Sequence, residues 1–136
     1  MTRAHGPFDV KVAPQPTDAA PLGRMSIDKQ FHGDIEGTSR GEMLVFRGEQ
    51  GSAGYVAMER VTGTLHGMRG SFVLQHSSTM NRGIPTQSIT VVPDSGTDAL
   101  VGLLGRMVVV IEGKAHSYDF EYELASGQPG SLERVG

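Results

Sequence analysis

This sequence predicts an all-β fold: a closed eight-stranded antiparallel β-barrel with one short helical turn near residues 97–104. Three observations predict it. Apolar residues recur at every second position, as in Phe8, Val10 and Val12 or in Tyr118, Phe120 and Tyr122, which is the period of a strand buried on one face. Short turn-forming runs separate these segments, drawing on 19 glycines and 7 prolines in 136 residues. Enough strands follow one another for the sheet to close on itself, which removes its exposed edges.

Taken in order, the first strand carries Phe8, Val10 and Val12 and is broken at Pro14-Gln15-Pro16. Met25, Ile27 and Phe31 mark the second. The third spans residues 35–46 and contains Gly37 and Gly41, which inside a strand signal a bend or the close approach of another backbone. A hairpin loop at 48–52 leads to a fourth strand over 55–65. Residues 66–70 turn the chain into a fifth over 71–76, extending toward Met80. After the Asn81-Arg82-Gly83 turn comes a sixth strand over 89–92. A last hairpin joins 106–111 to 115–124 across Glu112-Gly113-Lys114. Between them, Thr97 to Gly105 has a cap residue, an acid in the first turn and a glycine stop, the pattern of one or two helical turns. One barrel domain is expected over residues 6–125, with a flexible tail over 126–136 rich in Gly, Ser, Gln and Pro.

Composition excludes several function classes. With no cysteine there is no disulfide framework, thiolate zinc site or cysteine nucleophile, and the chain suits a reducing, cytoplasmic compartment. The formal net charge is −3 and no run of Lys or Arg forms a nucleic-acid footprint. Tryptophan is absent, which disfavours a base-stacking platform. No apolar stretch approaches the ~20 residues of a membrane-spanning helix. Nucleic acid and membrane are therefore not expected partners. A small-molecule ligand is compatible with an eight-stranded barrel, whose interior just holds side chains or one small ligand. A homodimer is compatible too, since small barrels with an apolar outer patch often pair.

Several segments carry a family pattern: Phe31-His32-Gly33-Asp34-Ile35-Glu36-Gly37-Thr38-Ser39, Gly51-Ser52-Ala53-Gly54-Tyr55-Val56-Ala57, Gly70-Ser71-Phe72-Val73-Leu74-Gln75-His76 and Val92-Pro93-Asp94-Ser95-Gly96-Thr97. Leu100-Val101-Gly102-Leu103-Leu104-Gly105 and His116-Ser117-Tyr118 complete it. The chain resembles, over Phe8 to Leu124 and in order, the bacterial family called domain of unknown function 3224. The resemblance implies an allene oxide cyclase-like (calycin-type) barrel, a superfamily that includes enzymes shaping a reactive substrate inside the barrel. Fold alone does not carry that activity over.

Strand phase selects the candidate site residues. Glu59 is in phase with Tyr55, Ala57 and Val61; His76 with Phe72 and Leu74; His116 with Tyr118, Phe120 and Tyr122. Ionisable groups facing an apolar interior tend to have shifted pKa values and often mark sites, although a hydrogen-bonded structural role is the plainer alternative. Tyr55, Phe72, Gln75, Tyr118 and Phe120 are the expected ligand-binding wall. Asp34 and Glu36, two apart, would share a strand face as an acid–base pair, or else be solvated or serve a turn. Asp94-Ser95-Gly96-Thr97 matches the aspartic-peptidase loop, but such chemistry needs two carboxylates, and an Asx-turn explains the residues equally. Gly37-Thr38-Ser39-Arg40-Gly41 matches the serine-hydrolase motif without the helix that must follow it. The five histidines show no metal-ligand spacing, so neither metal nor cofactor is expected.

Three functions follow as expectations. The first is a lumen that binds a small apolar molecule and acts as a cyclase or isomerase through Glu59, His76 or His116. The second is a hydrolytic or self-cleaving carboxyl site built on Asp94 with Asp34, Glu36 or Glu59. The third is a non-enzymatic binding or structural oligomer.

Overall fold

The computed structural model describes residues 1–124; the tail expected over 126–136 lies outside them. Eight antiparallel strands close into a barrel in sequence order: β1 (Thr2–Gln15), β2 (Gly23–Phe31), β3 (Ile35–Arg47), β4 (Ala53–Leu65), β5 (Met68–Asn81), β6 (Ile84–Val91), β7 (Leu104–Glu112) and β8 (Ala115–Glu123). Closure explains why β1 starts earlier than its apolar pattern does. Its first half, Thr2 to Phe8, pairs with β8, and its second half, from Phe8 onward, pairs with β2. The early half is legible only through closure, because Pro7 and Gly6 interrupt the alternation there.

Among the described residues three hairpins turn in two residues, at His66-Gly67, Arg82-Gly83 and Gly113-Lys114. His66-Gly67 and Arg82-Gly83 all have positive φ, and their flanking residues, Leu65 with Met68 and Asn81 with Ile84, are register partners. Both-positive φ is the type I′ geometry whose twist matches that of paired strands. The segment expected to be helical holds a single 3₁₀ turn, Asp98–Leu100. Thr97 does not cap it: its hydroxyl instead accepts the Ser71 N–H and meets the Ser71 hydroxyl. The turn's role is closure, since Leu100 and Leu103 are fully buried beneath the barrel. Among the described residues no helix is long and apolar enough to cross a membrane.

The interior is unevenly filled. Along β1, Ala4 and Phe8 are buried, Val10 is half-buried and Val12 exposed. The same gradient runs from Val61 to Tyr55 on β4, from Met107 to Ile111 on β7 and from Tyr122 to His116 on β8. The lower half is a packed core in which Phe72 stacks on Phe120 at 5.8 Å and Phe31 meets Tyr118 edge-on at 5.5 Å. The upper half opens to solvent. Tyr118 also ties β8 to the β2–β3 turn: its hydroxyl accepts the Ile35 N–H at 2.8 Å and donates to the His32 carbonyl at 2.7 Å. Burial, opposed by the Ile35 N–H, pushes that phenol up to about 12. Tyr118→Phe is expected to lower stability by about 1–3 kcal/mol, because it strands a buried N–H; chemical denaturation of the two proteins measures it.

Gly41 is needed for closeness. A Cβ there would lie 2.2 Å from the Met58 carbonyl oxygen and 2.7 Å from Glu59 Cα. Both neighbours are too rigid to yield, so Gly41→Ala is expected to push β4 from β3 and to destabilise by about 1–3 kcal/mol. A thermal melt unchanged by that substitution contradicts the close approach.

Candidate functional site: a buried charge cluster beneath an open lumen

The strand alternation that buries Ile27 and Phe31 also turns Lys29 inward, and the one that buries Ala57 and Val61 turns Glu59 inward. Register then brings distant residues together. Glu59 Oε1 accepts from the Lys29 ammonium at 2.9 Å and is 2.5 Å from His76 Nε2; Glu59 Oε2 accepts from the Ser39 hydroxyl at 2.5 Å. An ionised carboxylate only accepts, so the His76 nitrogen facing it carries a proton. The Glu59 side chain has no solvent exposure, against 7% for Lys29 and 6% for His76. Burial alone pushes the Glu59 carboxyl up, but His76, Lys29 and Ser39 together outweigh it and bring it down to about 2. Glu59 is therefore ionised and sits behind its two nitrogen partners. Lys29 Nζ also lies over the rings of Phe8 and Phe31, at 5.0 and 5.8 Å from their centroids.

Above this cluster the barrel holds a cavity of about 160 Å³, lined from all eight strands. Lys29 and His76 form its polar floor. Ile27, Met43, Ile89 and Val109 supply apolar wall, while Tyr55 and His116 stand higher up. His116 packs on Phe8, with ring centroids 5.4 Å apart. At the rim Gln87 Oε1 accepts the Val109 N–H, bridging the narrow β6–β7 seam where Thr90 faces Arg106. The Ser78 hydroxyl, two residues above His76, is buried without a hydrogen-bond partner among the described residues.

The residues singled out from the sequence fall into three places. Glu59 and His76 touch, and His116 lines the same cavity. Of the expected ligand wall, Tyr55 lines the cavity, whereas Phe72, Tyr118 and Phe120 belong to the packed core below it. Gln75 alternates with His76 and faces outward, into a surface groove of about 650 Å³ shared with Leu44, Val56 and Met58.

Asp34 and Glu36 do not form a lumen pair. Asp34 lies in the turn before β3, where its carboxylate accepts the His5 N–H at 2.9 Å, the main reason its pKa falls below the usual value. Glu36 is exposed and caps the same turn through the Gly33 N–H. Asp34 instead approaches His66 at 3.5 Å, whose other ring nitrogen is 2.6 Å from the Tyr122 hydroxyl, at the closed end of the barrel.

Asp94 is exposed, at a positive φ of 65°, in the loop that leaves β6. The loop extends the β5 ladder where β6 has departed. Val92 N–H and Thr97 N–H donate to the carbonyls of Val73 and Ser71, while the hydroxyls of Ser95 and Thr97 accept from Val73 and Ser71. The hydroxyls thus stand in for strand carbonyls, and the structure does not bring Asp94 to Asp34, Glu36 or Glu59.

Lys29 joins the site without having been singled out, and Ser39 joins it after figuring only in the serine-hydrolase motif that lacks its helix. Their signal is phase: Lys29 sits between Ile27 and Phe31, and Ser39 shares a face with Ile35. Serine, histidine and a carboxylate meet here, but in the wrong order for a nucleophilic triad. In a triad the imidazole stands between acid and serine; here Glu59 stands between Ser39 and His76. Among the described residues no three His, Asp or Glu side chains converge to hold a metal.

Fold and site together define a small one-ended antiparallel barrel with an ionised cluster at mid-height. The chain belongs to the DUF3224 family, whose model, a protein of unknown function (DUF3224), matches residues 4–122. It is similar to a protein of unknown function from the DUF3224 family of Shewanella oneidensis MR-1. The two share 45% identity and a TM-score of 0.88, over 91% of this chain and 97% of that crystal structure. None of the curated proteins matches the sequence.

Proposed function

We propose that the protein binds a small, mainly apolar molecule in the upper lumen, with Lys29 and His76 as the polar floor that orients it. One observation carries this reading: an ionised carboxylate and its cationic partner are buried where apolar side chains would fill the barrel. Buried ion pairs are often no more stabilising than well-packed hydrophobic residues of similar volume, so stability is a weak reason to keep one. A concave apolar cavity ending in a few convergent polar groups is the usual form of a small-molecule site.

Ethylbenzene and methyl-labelled protein test it. Binding in the lumen shifts the Met43 and Ile89 methyl resonances and leaves Met58, on the outer face, unmoved. A response confined to Met58 contradicts the proposal.

A cyclase or isomerase activity is a second reading, favoured by one feature. The Lys29 ammonium, fixed in place by Glu59, has donors to spare, and Lys29 lines the cavity. Such preorganised donors stabilise oxygen charge that develops in a transition state. In this reading Lys29 polarises an oxygen of the bound molecule, and Glu59 holds both Lys29 and His76 in position.

A further inference from the structure

We propose that the lumen ligand presents an acceptor oxygen, a carbonyl or a carboxylate, to Lys29, on a body of about one ring. This rests on the reading of the lumen as a binding site.

Size comes first. A dry cavity of roughly 150 Å³ holds benzene, and this one is about 160 Å³. The polarity of the floor comes next. An ammonium has three donors, and Lys29, which lines the cavity, directs one at Glu59. Phe8 and Phe31 flank it with ring faces, which attract the charge without replacing a hydrogen-bonded oxygen. His76 borders the cavity from β5. At the rim, the oxygen of the Gln87 amide is taken by Val109 N–H, which leaves its NH₂ donors.

The carboxylate near the floor is not free to accept. Both Glu59 oxygens are occupied, and the side chain is wholly enclosed behind Lys29 and His76. A ligand ammonium entering the lumen therefore meets the Lys29 charge first and finds the carboxylate already bonded. A ligand oxygen meets the Lys29 ammonium, held in place by Glu59.

Four one-ring probes that differ in head group separate the possibilities: benzoate, acetophenone, ethylbenzene and benzylamine. Titrated into the protein with Met43 and Ile89 as reporters, benzoate and acetophenone are expected to bind about tenfold or more tightly than ethylbenzene, the difference a hydrogen bond to a charged group makes. Benzylamine is expected to bind more weakly than ethylbenzene. Replacing the ion pair with Lys29→Met and Glu59→Gln together should level the series; the wild-type series decides the matter even where that variant fails to fold. Equal affinity for all four in the lumen overturns the head-group inference and leaves lumen binding standing. Tighter binding of benzylamine also overturns it. No Met43 response to any probe, ethylbenzene included, overturns both.

Discussion

Glu59→Ala is expected to unfold the protein far more readily than any surface substitution, by about 3–5 kcal/mol, because it leaves Lys29 and His76 buried without their counter-charge. In a domain of this size that is a fall in Tm on the order of 10 °C or more. Removing the whole cluster should do the opposite. Lys29→Met, Ser39→Ala, Glu59→Leu and His76→Leu combined leave no charge to bury and no hydroxyl to strand. Replacements of this kind are neutral or stabilising by about 1–4 kcal/mol in other proteins. The combined variant is thus expected to melt at or above the parent temperature while losing any preference for an oxygen head group. The contrast matters more than either value. If the apolar variant is as unstable as Glu59→Ala, the cluster is a structural element of the barrel and the case for a site loses its main support.

Acid should weaken the protein through the same carboxylate. The folded Glu59 carboxyl lies at about 2, against 4.5 without the barrel around it. A group depressed on folding stabilises the folded state above its unfolded value. That contribution, about 3 kcal/mol by linkage, is lost as the pH falls from 4.5 toward 2. Asp34, which is also depressed, adds a smaller loss of the same sign. Denaturant midpoints measured from pH 6 to pH 2.5 should fall steeply below pH 4.5, and the slope should flatten in the combined apolar variant. A parallel decline in both proteins would assign the acid sensitivity to other carboxylates.

Much of this was legible in the chain, because side-chain direction in a strand has a period of two. That rule alone puts Glu59 with Ala57 and Val61, and His76 with Phe72 and Leu74. It also places Lys29 between Ile27 and Phe31. A lysine's strong preference for solvent, though, makes it the least expected member of a core until its carboxylate partner is known. Which inward residues stand level is a different matter. Ser39 and Glu59 meet because β3 and β4 pair Gly41 with Glu59, and Lys29 reaches the same height through β2 pairing with β3. Register across a closed barrel depends on the stagger of every strand, which no single segment contains.

Element ends were the weaker part of the reading for a related reason. Asp34 and Glu36 share a face only if both lie in a strand, and β3 begins at Ile35, between them. The Asp94 loop shows competition between two local explanations. Its serine and threonine fit a catalytic motif on paper, yet in the fold they complete the hydrogen bonding of β5 where β6 turns away. The barrel came from alternation and strand number, and the resemblance that named the family agreed with it. The site came from the residues.

A site-specific titration of the Glu59 carboxyl carbon by NMR, in the ligand-free protein, decides whether the lumen floor is charged. Glu59 is expected to stay ionised from neutral pH down past pH 4, with an apparent pKa of about 2. A Glu59 that titrates at or above 4.5 would contradict it. The lumen would then end in a neutral acid, and the charged floor on which the proposed ligand chemistry rests would not exist.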